Sequence, residues 1–332
     1  MPVLSLCIPT YNRAAFLEQA LSRITGERVF RETAKVEIVL SDNCSTDDTE
    51  DICRNFMADF PDKIRYFRNT VNTGMMSNFS NMLQYGKGSF LKLQNDNLIM
   101  KPGALEMVVN FVERHAHEKP LLFFSDGNAR QEGNVICVDD ADELLATISY
   151  ITTWIGGMGL WKNDLESLRP VFEKYANSLM PNVPVFYQAF LKTRKAVFYN
   201  DIIYEHTNKL LLGKGGYNIA EAFAQNYLGI LRDYMPLVGY SKKSYKKEKR
   251  AVFWHTFYWY HDFNKLHKFE RGHYLWYTRD YWFEPYYYLS FLCYGYQKLK
   301  RVYRLMAIWL LCKAGKAEKA GCYKDRLHLL IS

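Results

Sequence analysis

Short apolar runs alternate with longer stretches of helical periodicity through the first 125 residues, and this alternation narrows the possible folds more than any other feature. "VLSLCI" (3–8) is a strand-like run ended by Pro9, and "RAAFLEQALSRI" then sets Phe16, Leu17, Ala20, Leu21 and Ile24 on one helical face. In the intervening loop "PTYN", Asn12 is the expected helix cap. "VEIVLS" (36–41) predicts a second strand, and "STDDTEDICRNFM" predicts a second helix opened by a variant capping box that pairs Ser45 with Asp48. "IRYFR" (64–68) reads as a third strand, "MMSNFSNMLQYG" as a helix closed by Gly86, and "SFLKL" as a fourth strand. Strands separated by helices of this length predict an α/β fold with a mainly parallel sheet and helices on both faces. Such sheets bind ligands beyond the carboxyl ends of their strands, where "PTYN", "SDNCSTD" and "QNDN" all fall.

The second half is less regular. "TTWIGGMGLW" reads as a Gly-rich turn between aromatics, "NVPVFYQAFLK" as a helix, "AVFYNDIIY" as a strand pair and "KLLLGKGGYN" as a flexible basic loop. Asp164 and Asp201 read as cap and turn residues. The expected organisation is a catalytic domain over 1–235, with halves at 1–125 and 126–235, and a mostly helical extension over 236–332.

Charge separates these parts. Residues 236–332 hold 19 Lys and Arg against 7 Asp and Glu, a net of +12, which leaves −4 for residues 1–235. The seven cysteines (Cys7, Cys44, Cys53, Cys137, Cys293, Cys312 and Cys322) are odd in number and lack Cys-x-x-Cys spacing. That argues against a zinc site or a disulfide framework and for a reducing compartment. The start "MPVLSLCIPTYNR" reads as a first strand rather than a leader, and no run reaches ~18 apolar residues. The expected location is therefore the cytoplasm.

Four segments in order, "CIPTYNRAAFLEQAL", "EIVLSDNCSTDDT", "NTGMMSNFSNMLQYGKGSFLKLQNDN" and "KPGALE", resemble family 2 glycosyltransferases of the GT-A fold. Within that family they look most like the bacterial abequosyltransferase-like, surface-polysaccharide branch. The resemblance covers roughly residues 1–115, then thins, and is not readable after about 220. It implies a nucleotide-sugar donor, held by Pro9, Thr10, Tyr11, Asn12 and Arg13 in the first loop. Thr10 and Tyr11 would hold the base, an aromatic face suiting a planar heterocycle. Asp42 would accept from the base N–H with Asn43 beside it, although both also read as turn-shaping residues. Asn72, Gly74 and Asn78 would lie near the ribose and diphosphate, or act as plain capping residues. Trp154, Gly156, Gly157 and Met158 would face the donor sugar and acceptor.

Family members usually carry Leu-Asp-x-Asp-Asp at the end of the fourth strand. Here Gln94, Asp96 and Asn97 stand in the three acidic positions, with Asn95 between, so only the metal-contacting carboxylate remains. Mn²⁺ or Mg²⁺ often takes one or two carboxylates and completes its shell with phosphate and water. Asp96 with a nucleotide diphosphate would hold such an ion, His206 being a second candidate ligand and Lys209 and Lys214 candidate diphosphate contacts. The implied reaction is inverting transfer of a sugar to a bacterial O-antigen, a capsule or their lipid-linked precursor. The family's catalytic Glu-Asp pair falls on Asn182 and Val183, neither of which can take a proton. Asp126 and then Glu205 are the substitutes. The alternative is a degenerate, membrane-bound nucleotide-sugar or glycan-binding scaffold.

The tail interleaves Trp254, Trp259, Trp276, Trp282 and many tyrosines with basic residues. "YQKLKRVYRLMAIWLLCKAGK" reads as a basic amphipathic helix on the inner leaflet, or equally as aromatic helices packed on the catalytic domain. No nucleic-acid partner is expected, because the first four motifs account for the chain's chemistry without one.

Overall fold

The computed structural model describes residues 1–205, 215–261 and 268–313. In chain order they form β1 (Leu4–Thr10), α1 (Ala14–Gly26), α2 (Arg28–Glu32), β2 (Val36–Asp42), α3 (Thr49–Asp59), β3 (Ile64–Arg68), α4 (Met75–Leu83), β4 (Phe90–Leu93), α5 (Ala104–His115) and β5 (Leu121–Phe124). There follow β6 (Val135–Val138), α6 (Ala141–Ile148), β7 (Gly159–Trp161), α7 (Leu165–Lys174), α8 (Asn182–Thr193) and β8 (Ala196–Tyr199). The remaining elements are β9 (Gly215–Asn218), α9 (Leu228–Val238), α10 (Lys242–His261), β10 (Lys268–Glu270), α11 (Tyr274–Tyr277) and α12 (Pro285–Lys313).

The chain groups into two units: residues 1–211 with 226–252, and residues 212–225 with 253–332. Residues 236–252, assigned to the extension by composition, therefore belong with the first unit. That unit holds a five-stranded sheet in the order β3-β2-β1-β4-β7 and a three-stranded sheet in the order β5-β8-β6. The first four strands of the larger sheet are parallel and β7 closes it antiparallel. β2 and β4 are buried along their whole length, as strands covered on both faces require. α1 seats Leu17, Ala20, Leu21 and Ile24 on the core. Phe16, expected on the same face, is instead exposed beneath the Arg13 guanidinium.

Two local expectations give way to longer-range hydrogen bonds. α1 begins at Ala14, and Asn12 adopts φ 50° and accepts from the Thr46 amide at 2.8 Å, tying the first loop to the second instead of capping the helix. Ser45 likewise forms no capping box, because its hydroxyl donates to Asp42 at 2.6 Å. The "AVFYNDIIY" pair reduces to β8 and a single bridge between Tyr204 and Met100.

The Gly-rich turn is packed tight. A Cβ on Gly157 would lie 2.5 Å from the Phe123 ring, and one on Gly156 2.6 Å from Leu98. Met158 is buried, bridges to Phe123 and accepts from the Leu93 amide. Gly156, Gly157 and Met158 thus form a seam between sheets rather than a face open to a sugar, which corrects the sequence expectation. Trp154 is half-buried, its ring edge-on to Tyr204 at 5.9 Å.

Lys92 holds this seam from the middle of β4. It is fully buried, and Nζ donates to the Gly156 carbonyl at 2.7 Å, the Tyr204 hydroxyl at 2.9 Å and the Leu93 carbonyl at 3.1 Å. Burial pushes its pKa down to about 7, partly opposed by the Asp126 carboxylate.

In the second unit, β9 and β10 pair in parallel and Phe253 gathers the rings of Tyr281, Tyr286 and Tyr287 at 5.0 to 5.8 Å. Part of the aromatic density of the tail is therefore core. Among the described residues no helix is long and apolar enough to cross a membrane.

Replacing Lys92 with Met should destabilise the protein by about 1–3 kcal/mol at pH 7, because the Gly156 carbonyl loses its donor inside the core. A lysine with a lowered native pKa binds fewer protons folded than unfolded between pH ~7 and ~10.5, so wild-type stability rises across that interval. Denaturant titrations at pH 7 and pH 9.5 should therefore show the gap between wild type and Lys92→Met widening with pH; a gap that narrows would contradict this account.

Candidate active site

The parallel register sets three strand ends level, with Thr10 opposite Asp42 and Asp42 opposite Arg68. β4 ends three residues lower, with Leu93 opposite Cys7, its continuation held by Gln94 N–H donating to the Cys7 carbonyl. The loop then turns Asp96 back over β1, where Thr10 Oγ1 donates to Asp96 Oδ2 at 3.0 Å. Asp96 is 9% exposed. Burial raises its pKa to about 6, against the pull of the Arg13 charge and the Thr10 hydrogen bond.

Asp42 is fully buried and saturated by protein donors. Its Oδ1 accepts from the Ser45 amide at 2.8 Å and hydroxyl at 2.6 Å, its Oδ2 from Tyr66 at 2.8 Å, and Arg68 Nε lies at 3.4 Å. As placed it builds the loop, and the base N–H expected to reach it would have to displace one of these partners. Burial and this carboxylate together push the Tyr66 phenol well above its usual range.

Beside Asp42 lies a web of asparagines. Asn43 Nδ2 donates to Asn72 at 2.8 Å, Asn69 donates to Asn43 at 3.0 Å and to Asn78 at 3.1 Å, and Asn78 donates to the Ser41 carbonyl at 2.9 Å. Asn72 Oδ1 also receives the Gly74 amide, where the chain turns with φ +83°. These amides shape the loop before α4. Among the groups facing solvent at this edge are Tyr11, Arg13 and the exposed side of Asn72. Pro9, half-buried, ends its strand behind them.

The two substitute bases are engaged elsewhere. Asp126, at φ 51° after β5, accepts through Oδ1 from the Ile203 and Tyr204 amides at 2.7 and 3.1 Å. Glu205 pairs with Arg23 at 2.9 Å, nine residues into α1 and so ~13 Å along the helix from the strand edge. Asn182 is buried and donates to the Thr152 carbonyl at 2.8 Å, and Val183 is buried beside it. His206, Lys209 and Lys214 lie outside the described residues.

Sequence reasoning missed several of these partners. Arg68 ends β3, and the rule that selected Thr10 and Asp42 would also have selected it. Glu248 is the lone acid of "SKKSYKKEKR". It is 2% exposed and accepts from Ser149 at 2.6 and 2.7 Å and from Tyr227 at 3.0 Å, with Arg130 at 3.8 Å. A carboxylate alone among lysines yet inside the core was the available signal. Burial raises its pKa, and it anchors the segment leading into Trp154.

Among the described residues no three His, Cys, Asp or Glu side chains cluster as a metal site. Next to Asp96, however, the side-chain oxygen of Asn95 is buried without a hydrogen-bond partner. One carboxylate and one orphaned amide oxygen are hard donors of the kind Mg²⁺ and Mn²⁺ accept, and they fit an ion whose remaining ligands come from a diphosphate and water.

Residues 5–122 match the family described as glycosyl transferase family 2. The chain is 32% identical over 136 residues to the GalNAc(5)-diNAcBac-PP-undecaprenol β-1,3-glucosyltransferase of Campylobacter jejuni, covering 41% of each chain. It is 31% identical over 114 residues to abequosyltransferase RfbV of Salmonella typhimurium, 34% of each. The matched segments thus span less than half the length of these relatives. Among solved structures, TarS 1–349 of S. aureus in complex with UDP superposes with a TM-score of 0.56 at 14% identity, over 80% of this chain and 74% of that one. The mannosyltransferase PcManGT of Pyrobaculum calidifontis, solved with GDP-Man and Mn²⁺, gives 0.50 at 15% identity over 100% and 81%. Level parallel strand ends, the loops beyond them and these superpositions agree on the GT-A fold, within which residues 5–122 match glycosyl transferase family 2.

Proposed function

We propose that the protein transfers a sugar, with inversion, from a nucleotide-sugar donor to a bacterial surface polysaccharide or its lipid-linked precursor. The observation that carries this is Asp96, held over the end of β1 by Thr10 with Arg13 nearby, on a family 2 domain. The named relatives act in such pathways, on an undecaprenol-linked glycan in one case and in abequosyl transfer in the other.

Tyr11 offers an exposed ring to the base, and Arg13 a positive charge to the phosphates. Asp96, with the Asn95 oxygen, would hold a divalent ion that offsets the charge developing on the leaving diphosphate. In the transfer itself the acceptor oxygen bonds to the anomeric carbon, the bond from that carbon to the diphosphate breaks, and the hydroxyl proton passes to a base. Asp126 or Glu205 would each first have to release its present partner. That requirement favours one second reading, a scaffold that binds nucleotide-sugar or glycan without turnover. Lys209, Lys214 and His206 complete the proposed donor site.

The extension is proposed to rest on the inner face of the cytoplasmic membrane. α12 carries five Lys and Arg and no Asp or Glu, while Leu292, Leu299, Tyr303 and Met306 are more than half exposed. An apolar surface among cations suits anionic headgroups. In flotation assays the full chain should bind phosphatidylglycerol vesicles and not phosphatidylcholine vesicles, and Leu292→Glu/Leu299→Glu should lose most of that binding. Equal binding to both lipids, or none, would count against it.

Calorimetric titration with UDP-, GDP-, CDP- and dTDP-sugars should find one that binds, at least ~10-fold more weakly without Mn²⁺ or in Asp96→Ala. Absence of binding by all four refutes the donor-site reading, whereas binding without transfer or hydrolysis supports the scaffold.

Protonation of Asp96 should compete with the ion, so metal-dependent affinity should fall by roughly tenfold for the pH unit below about 6. A carboxyl whose native pKa is raised makes the fold less stable as pH climbs from ~4 to ~6, and the penalty persists above that. Asp96→Asn should therefore raise the melting temperature at pH 7.5 by a few degrees while abolishing metal-dependent binding. A melting temperature that drops would mark Asp96 as a structural residue.

A further inference from the structure

Away from the donor loops, α4 and α7 part to leave a cavity of about 230 Å³. α4 turns Ser77, Ser80, Asn81 and Gln84 toward it, an i, i+3, i+4, i+7 stripe along one helical face. α7 supplies Arg169 and Glu173 from the opposite wall. Leu165, Phe172, Ala176 and Pro181 form the apolar remainder, and Phe172 is held edge-on to Phe79 at 5.7 Å, which fixes the spacing of the two helices.

The composition of the walls is specific. Asn81, Gln84, Arg169 and Glu173 are solvent-exposed, and apart from a 3.4 Å contact between Arg169 and Glu166 their polar side-chain groups are open to a ligand. Planar groups that both donate and accept, set around an apolar floor, complement a pyranose ring, whose edge is hydroxyl and whose face is C–H. The cavity is smaller than the ~300–1,000 Å³ typical of drug-sized ligands, so it admits one ring. A phosphate is disfavoured by Glu173, and an apolar ligand by the two amides.

Position links the cavity at one end to the strand edge and at the other to the turn before Trp154. Ser77 adjoins Asn78, which is bonded to the Ser41 carbonyl at the end of β2. Pro181 adjoins Asn182, which is bonded to the Thr152 carbonyl just before Trp154. We propose that this cavity is a saccharide subsite that holds a sugar ring of the acceptor chain; it rests on the glycosyltransferase reading above.

The test is saturation-transfer NMR on the full chain with a millimolar set of methyl hexopyranosides and methyl N-acetylhexosaminides, comparing wild type with Asn81→Ala/Gln84→Ala and with Ser80→Phe, which fills the space. At least one sugar should receive saturation in wild type and lose it fivefold or more in both variants, with nucleotide affinity unchanged. No saturation of any sugar, or equal saturation in wild type and both variants, overturns the proposal. Nucleotide titration of the same samples reports on the donor site separately, so a failed subsite and a failed donor reading give different results.

Discussion

Parallel pairing in register is the constraint on which the rest of the first unit depends. Because β1, β2 and β3 advance together, their last residues Thr10, Asp42 and Arg68 lie abreast, and every loop that follows opens on the same side. A slip of one residue would turn Asp42 out of the position where Ser45, Tyr66 and Arg68 reach it, and would part Thr10 from Asp96. The hydrogen bonds at the edge are thus consequences of pairing along the strands. They in turn fix the loops, as the reach from Asn12 to Thr46 illustrates.

The edge contains two kinds of carboxylate. Asp42 is satisfied by donors from its own loop and strand, so its charge is spent on architecture. Asp96 accepts from the Thr10 hydroxyl and from backbone amides of its own loop, yet burial still raises its pKa, and beside it lies an amide oxygen with no partner. A buried acidic group with a raised pKa beside an orphaned acceptor costs stability, and such costs are concentrated where a protein meets a ligand. The difference separates a residue that builds the site from one that waits for something to bind.

What could be read from the sequence was whatever rests on period and order. Apolar runs separated by helical stretches located β1 to β4, and the rule for strand ends pointed to the loops that follow them. The readings that failed depended on partners distant in the chain. Asn12 resembles a cap until Thr46, 34 residues on, takes its oxygen. Gly156 and Gly157 read as a Gly-rich turn open to a sugar until the rings of Phe123 and Trp154 are seen where their Cβ atoms would stand. Asp126 reads as a residue at a strand end with no partner until two amides near residue 203 reach it. Periodicity carries no information about such meetings. Lys92 and Glu248 were missed for a related reason: hydropathy places charged residues outside, and only the folded chain supplies the acceptors and donors that let them in.

The asparagine web has a consequence of its own. Asn43, Asn69, Asn72 and Asn78 bind one another through groups that carry no net charge and do not titrate. A loop built this way keeps its shape whether a polyanion is arriving, bound or departing, and at any ionic strength. Acidic side chains in those places would have repelled an anionic ligand, and basic ones would have bent toward it. The platform is electrically silent, so the strength of the local field is left to the few groups that can change charge.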